Sequence, residues 1–272
     1  MKSRIITSQG RVADRTPGAI PGALAVAKAL AARYDLSVKT VGTPAPAVSD
    51  DWREALPQAH ETLKGLAAAV SEELTAGRRP LLATNTCSAS LATIPQAASQ
   101  INGLTVLWVD AHGDFNTPET TDSGYMGGMA LAGICGLWDS GYGGNVAPEK
   151  LVIFGARDID PEEMETLNRK KVTVIKPEAA NAQSLLAAIG TGPLWIHIDW
   201  DVMEPGLIPA AYAIEDGLLA PQLRDALAAI PASQIAAIEL AEFELPEDKQ
   251  AADHALDLIL EITAPLYESI GV

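Results

Sequence analysis

The chain has 272 residues, 48% of them hydrophobic and only 5% aromatic, and a formal net charge of −16. That length and apolar content suit one large α/β domain over residues 1–272 with a sizeable core. The charge argues against nucleic acid or an anionic membrane as partner; it would steer a cationic substrate favourably, though its main cause reads as a plainly acidic, soluble surface.

The first residues, Met1-Lys2-Ser3-Arg4-Ile5-Ile6, lack the apolar run of a signal peptide. No segment reaches the uninterrupted apolar length that a membrane span needs. Two cysteines, Cys87 and Cys135, form no disulfide framework, so a cytoplasmic location is expected. Along the chain, strand-like runs occupy residues 4–7, 37–41, 80–84, 105–109, 151–155, 172–175, 194–198 and 235–240. Helix-like runs lie between and after them, at 21–34, 51–76, 88–100, 127–138, 161–170, 182–189, 221–229 and 249–270. This alternation predicts βαβ units and a parallel sheet covered on both faces. The stretches 42–48 and 139–145, rich in Pro/Ala and in Gly, read as surface loops.

Chemistry concentrates at two strand ends. Asp110-Ala111-His112-Gly113-Asp114 follows the apolar run 105–109, and Asp199-Trp200-Asp201 follows 194–198. Side chains of an extended segment alternate faces, so Asp110, His112 and Asp114 can point together, as can Asp199 and Asp201. Four carboxylates and an imidazole converging at strand ends call for compensation, and divalent cations supply it. In parallel sheets a site lies beyond the carboxyl ends of the strands, where both clusters fall. A metallohydrolase is the expected class.

The first cluster continues into Phe115-Asn116-Thr117-Pro118 and Thr120-Thr121-Asp122-Ser123-Gly124. The second continues as Val202-Met203-Glu204-Pro205. Gly155-Ala156-Arg157-Asp158-Ile159-Asp160-Pro161-Glu162-Glu163 and Ile238-Glu239-Leu240-Ala241-Glu242 complete the set. In this order the segments resemble the arginase/agmatinase (ureohydrolase) family over most of the chain. The resemblance implies a three-layer α/β/α fold with a parallel eight-stranded sheet, and two Mn2+ ions that activate a water for attack on a guanidinium carbon. It implies that Asp110 and Asp199 bridge the ions, that Asp114 binds the first, and that His112 and Asp201 bind the second. Asp114 and Glu242 carry the catalytic roles, Glu242 by pairing with the guanidino group, while Asn116, Ser123, Asp160 and Glu163 hold the amino-acid end. Glu204 stands where the family motif has an Asp that supports the ligand loop.

Two positions depart from the family pattern. Thr84-Asn85-Thr86-Cys87-Ser88 replaces a Gly-Gly-Asp-His-Ser string, so Cys87 falls at the first histidine ligand and is expected to bind metal. Its softer sulfur leaves Zn2+ or mixed occupancy open beside Mn2+. Ser123-Gly124-Tyr125-Met126-Gly127-Gly128 replaces Ser-Gly-x-x-His-Gly, so Gly127 falls where the family has its proton-shuttling histidine. Of the other histidines, His197 reads as a satisfied core residue, and His60 and His254 as surface residues. Loss of a general acid/base costs ~10²–10⁴-fold, which points to a less basic guanidine. With the amino-acid-binding positions kept, the expected substrate is Nω-hydroxy-L-arginine, cleaved to L-ornithine and hydroxyurea. The Cys/Gly combination is similar to the branch of the family that supplies hydroxyurea for D-cycloserine biosynthesis. An L-arginine hydrolase and a non-catalytic guanidino-compound sensor are the alternatives; agmatine, lacking a carboxylate, fits less well.

The C-terminal arm through which arginases trimerise has no counterpart after the last predicted helix, so a monomer or a weak oligomer is expected. Gel filtration at low protein concentration checks this, and a stable trimer overturns it.

Overall fold

The computed structural model describes residues 3–272. One sheet collects β1 (Arg4–Ser8), β2 (Ser37–Val41), β3 (Leu81–Ala83), β4 (Thr105–Val109), β5 (Leu151–Phe154), β6 (Thr173–Ile175), β7 (Leu194–Asp199) and β8 (Ile235–Ala241). All its pairings are parallel, in the order β2-β1-β3-β8-β7-β4-β5-β6. The helices are α1 (Ala19–Tyr34), α2 (Trp52–Thr75), α3 (Ser90–Ala98), α4 (Ala130–Ile134), α5 (Pro161–Arg169), α6 (Ala182–Ile189), α7 (Ala220–Ala228) and α8 (Lys249–Ser269). Among the described residues, no helix is long and apolar enough to cross a membrane.

The continuous apolar runs of the strands have a simple cause: both faces are buried, so successive residues feed different cores. Ile6, Leu82, Val106, Trp108, Leu151 and Ile153 join one core with residues of α2, α3, α4 and α5. Their chain neighbours Ile5, Leu81, Leu107, Val109, Val152 and Phe154 join the other, with residues of α1, α6, α7 and α8. The result is the expected three-layer α/β/α arrangement.

Each expected strand and helix is present, with about half of the ends moved by one or two residues. The clearest correction is the helix read over 127–138. It is a short 3-10 turn, Gly127–Met129, followed by the five-residue α4. Gly136 at φ +70° leaves the helical region and ends the run. The helix read from residue 88 likewise begins as a 3-10 turn, Cys87–Ala89, before α3. The two turns pack against each other.

Candidate metal centre

Four consecutive strands at the middle of the sheet, β3, β8, β7 and β4, present their carboxyl ends side by side. Neighbouring strands lie ~4.8 Å apart, so whatever follows them converges. Cys87 comes four residues after β3, Glu242 follows β8, Asp199 ends β7 and Asp110 follows β4. The Cys87 sulfur lies 3.2 Å from Asp199 Oδ2 and 3.9 Å from Asp110 Oδ2. Its backbone N–H donates to Glu242 Oε1 at 2.8 Å. Residues 112 and 155 positions apart in sequence thus meet through strand order alone.

The remaining expected ligands close the group. His112 Nδ1 lies 2.9 Å from Asp201 Oδ2 and 3.4 Å from Asp110 Oδ1. Three sets of ligand atoms fall within 4.8 Å of one another: Cys87, Asp110 and Asp114; Asp110, His112 and Asp201; and Cys87, Asp199 and Glu242. The first two share Asp110, the arrangement two adjacent cations would need. Second contacts hold the carboxylates in place. The Trp108 indole N–H donates to Asp110 Oδ2 at 2.8 Å, and the His112 N–H to Asp110 Oδ1 at 2.7 Å. The Asp201 N–H donates to Asp199 Oδ1 at 2.8 Å, and the Ala111 N–H to Asp201 Oδ1 at 3.1 Å.

Electrostatics agree with a cation site. Burial, then the neighbouring Asp110, holds the Asp114 carboxyl well above its ordinary range; burial and Asp201 do the same to Asp199. Asp201 is pushed up to about 6 by burial and Asp110. His112 works the other way: burial opposes its charge, but hydrogen bonds to Asp110 and Asp201 raise its pKa. Burial and Asp199 also push the Cys87 thiol up. Such a cluster is destabilising without positive charge, and divalent cations invert this pKa logic. The donor set, carboxylate oxygen and imidazole with one thiol, fits Mn2+ and leaves room for Zn2+.

The backbone is bent to achieve this. Asp114, Glu242 and Tyr212 take left-handed φ values of 47°, 63° and 61°. Each such non-glycine residue costs roughly 1–2 kcal/mol, and all three line one cleft of about 390 Å3. Cys87, His112, Asp199 and Asp201 complete its candidate-ligand side, while Arg15, Ser123, Tyr125, Gly127, Asp158, Ala213 and Ile214 form the rest.

Sequence placed Asn116, Ser123, Asp160 and Glu163 on the substrate. Ser123 lines the cleft; the other three are not among its lining side chains. Glu163 is buried and braces the fold. Its Oε1 accepts the Phe115 N–H at 2.6 Å and its Oε2 the Asp160 N–H at 3.3 Å, capping α5. Burial pushes its carboxyl up to about 7. Asn116 donates to Asp160 Oδ2 at 3.4 Å, and Asp160 faces solvent. Glu204 accepts the Gly217 N–H at 2.7 Å, consistent with loop support.

His197 is fully buried, as expected of a core histidine, but it also reaches the centre. Its ring stacks on Trp108 with centroids 3.6 Å apart, Nδ1 lies 3.3 Å from Glu239 Oε2, and Nε2 lies 3.2 Å from the Cys87 sulfur. Glu239 is fixed in turn by Ser90, Thr93 and Trp195. His60 and His254 are exposed.

Sequence reasoning singled out neither Arg15, Tyr125, Tyr212 nor Asp158. Arg15 stacks over the Tyr125 ring at 4.7 Å and donates from Nη2 to the carbonyls of Asp50 (2.6 Å) and Ser123 (3.2 Å), while its buried Nε has no hydrogen-bond partner. A lone arginine in the loop after β1 carries no motif. Tyr125 could have been found, since it lies in the segment where Gly127 departs from the family pattern.

Comparison with known proteins gives a consistent picture. The Arginase family profile matches residues 6–264. The chain is 50% identical over 265 residues, 97% of each chain, to an N(omega)-hydroxy-L-arginine amidinohydrolase of Streptomyces lavendulae. It is 41% identical to an arginase of Brevibacillus brevis over 115 residues, 40% of this chain and 39% of that one. Its fold is similar to the crystal structure of arginase from Bacillus cereus, with a TM-score of 0.84 and 24% identity over 97% of both chains.

Proposed function

Because the chain belongs to the arginase family, we propose that it hydrolyses Nω-hydroxy-L-arginine to L-ornithine and hydroxyurea, in the cytoplasm and with two Mn2+ ions. The observation that carries the hydrolytic reading is the sharing of Asp110 between two groups of potential ligands, Cys87–Asp110–Asp114 and Asp110–His112–Asp201, at the cleft. Identity of 50% across almost the whole chain to a protein named for hydroxyarginine hydrolysis supports the substrate.

Asp110 and Asp199 would bridge the ions, with Cys87 and Asp114 on one and His112 and Asp201 on the other. Bound there, divalent cations acidify water and offset the charge that develops at the guanidine carbon. The protein's own groups do the positioning. Glu242, anchored by the Cys87 N–H, pairs with the guanidine nitrogens. Arg15 and Ser123 line the same cleft and meet the α-carboxylate, with a charge-assisted contact from Arg15 that Gln would not reproduce. Trp108 and the two strand-end N–H groups fix the angle at which the aspartates face the substrate.

The test is product-amine release by Mn2+-loaded protein on Nω-hydroxy-L-arginine, L-arginine and N-hydroxyagmatine in parallel. The expected outcome is a strong preference for the first, with N-hydroxyagmatine poor because it leaves Arg15 unmatched. Equal or better turnover of L-arginine overturns the substrate assignment and makes the chain an arginase with another proton source.

A further inference from the structure

Gly127 lines the cleft without a side chain, and the space beside it is filled. A Cβ built at residue 127 would sit 2.4 Å from Tyr125 Cε1 and 2.9 Å from Cζ. Cβ atoms essentially never come within 3.0 Å of such a neighbour, so any side chain at 127 requires the Tyr125 ring to shift. The ring is held where it is. Arg15 covers it at 4.7 Å, Tyr212 lies beside it with centroids 5.4 Å apart, and the Tyr125 N–H donates to Ser123 Oγ at 3.2 Å. Its hydroxyl donates to Glu242 Oε1 at 3.4 Å, the oxygen that also accepts the Cys87 N–H. Tyr125 and Gly127 are therefore one structural unit.

We infer that Tyr125 is the specificity-determining residue of this cleft: its ring takes the space of a residue-127 side chain, and its phenol recognises the N-hydroxyl group of the substrate. The inference rests on the substrate assigned above. A phenol is both donor and acceptor. While donating to Glu242, the Tyr125 oxygen can accept the N–OH proton, so the hydroxyl group joins a chain that ends on a buried carboxylate. A guanidine without the hydroxyl group forms no such link. A site built to hydrogen-bond one hydroxyl discriminates against the analogue that lacks it.

Two sets of variants test this, each assayed for kcat and KM on Nω-hydroxy-L-arginine and L-arginine, with metal content and thermal melting recorded. Tyr125→Phe keeps the ring and the fold. It is expected to lower kcat/KM for the hydroxylated substrate about tenfold, the size of one buried hydrogen bond, with a much smaller change for L-arginine and unchanged metal content. Equal losses on both substrates, or none, overturn the inference. Gly127→His alone is expected to be impaired on both substrates, and Tyr125→Ala with Gly127→His is expected to hydrolyse L-arginine better than either single variant. If the two substitutions instead act independently, the two positions do not share one space and the inference fails. Wild-type preference tests the underlying assignment separately: a wild-type enzyme that prefers L-arginine sinks the substrate, whereas a hydroxyarginine-specific wild type with an unaltered ratio in Tyr125→Phe sinks only the role of Tyr125.

Discussion

Asp199→Asn protein is expected to lose its metal and to retain less than about 10⁻³ of wild-type activity. Asp199 ends β7, contacts the Cys87 sulfur at 3.2 Å and orients Asp201 through the Asp201 N–H. Neutralising it removes the charge that would bridge the two ions and disturbs Asp201 beside it. Metal-ion charge stabilisation is worth several kcal/mol, and each 1.36 kcal/mol is tenfold in rate, so ~10³-fold is a modest expectation. Stability separates this from simple misfolding. Wild-type protein at Mn2+ about 100-fold above its Kd gains ~2.7 kcal/mol, a melting shift of roughly 5–10 °C for a chain of this size. The Asn variant is expected to show little or no shift. Its metal-free form is expected to melt no lower than metal-free wild type. The reason is the direction of the Asp199 shift: burial, Asp201 and Asp110 raise its pKa in the folded state, so the folded protein binds more protons than the unfolded one. That contribution lowers stability as pH rises from the ordinary carboxylate range, and Asn does not titrate. Full Mn2+ stoichiometry and a normal melting shift in the variant would remove Asp199 from the metal centre.

Glu242→Gln protein is expected to keep its metal and lose about 10²-fold in kcat/KM. The substitution preserves size and the left-handed backbone at φ 63°, and its amide oxygen can still accept the Cys87 N–H. What it removes is the negative charge that the proposed function places against the guanidine, a charge-assisted hydrogen bond worth ~1.5–3 kcal/mol. Metal content measured by elemental analysis decides the role. Glu242 also lies within reach of Cys87 and Asp199 as a potential ligand. A fall in bound metal to one ion per chain would make it a metal ligand rather than a substrate contact. Together the two variants separate groups that hold the ions from groups that hold the substrate.

The centre is reinforced on its far side by a stack that crosses three strands. Trp108 on β4, His197 on β7 and Glu239 on β8 are register partners, Trp108 with His197 and His197 with Glu239. Their side chains link Asp110, Cys87 and α3 through buried hydrogen bonds. Buried networks of this kind fix ligand orientation, and their value depends on every member being satisfied.

What the amino-acid sequence determined by itself is the material whose meaning is local. Alternating apolar and amphipathic runs located eight strands and eight helices, because burial on both sheet faces demands continuous apolar strands. Period-2 spacing placed Asp110, His112 and Asp114, and Asp199 with Asp201, at strand ends. Tertiary structure decided everything that depends on which strands are neighbours and where loops fold back. The order β3-β8-β7-β4 brings Cys87, Glu242, Asp199 and Asp110 together, and no spacing along the chain encodes that order. Loop packing turned Arg15, Tyr125 and Tyr212 into the cleft and gave Glu163 to the cap of α5. Gly127 is the sharpest case. In the sequence it is a missing side chain, and only the tertiary structure shows the Tyr125 ring in the volume that a side chain there would need.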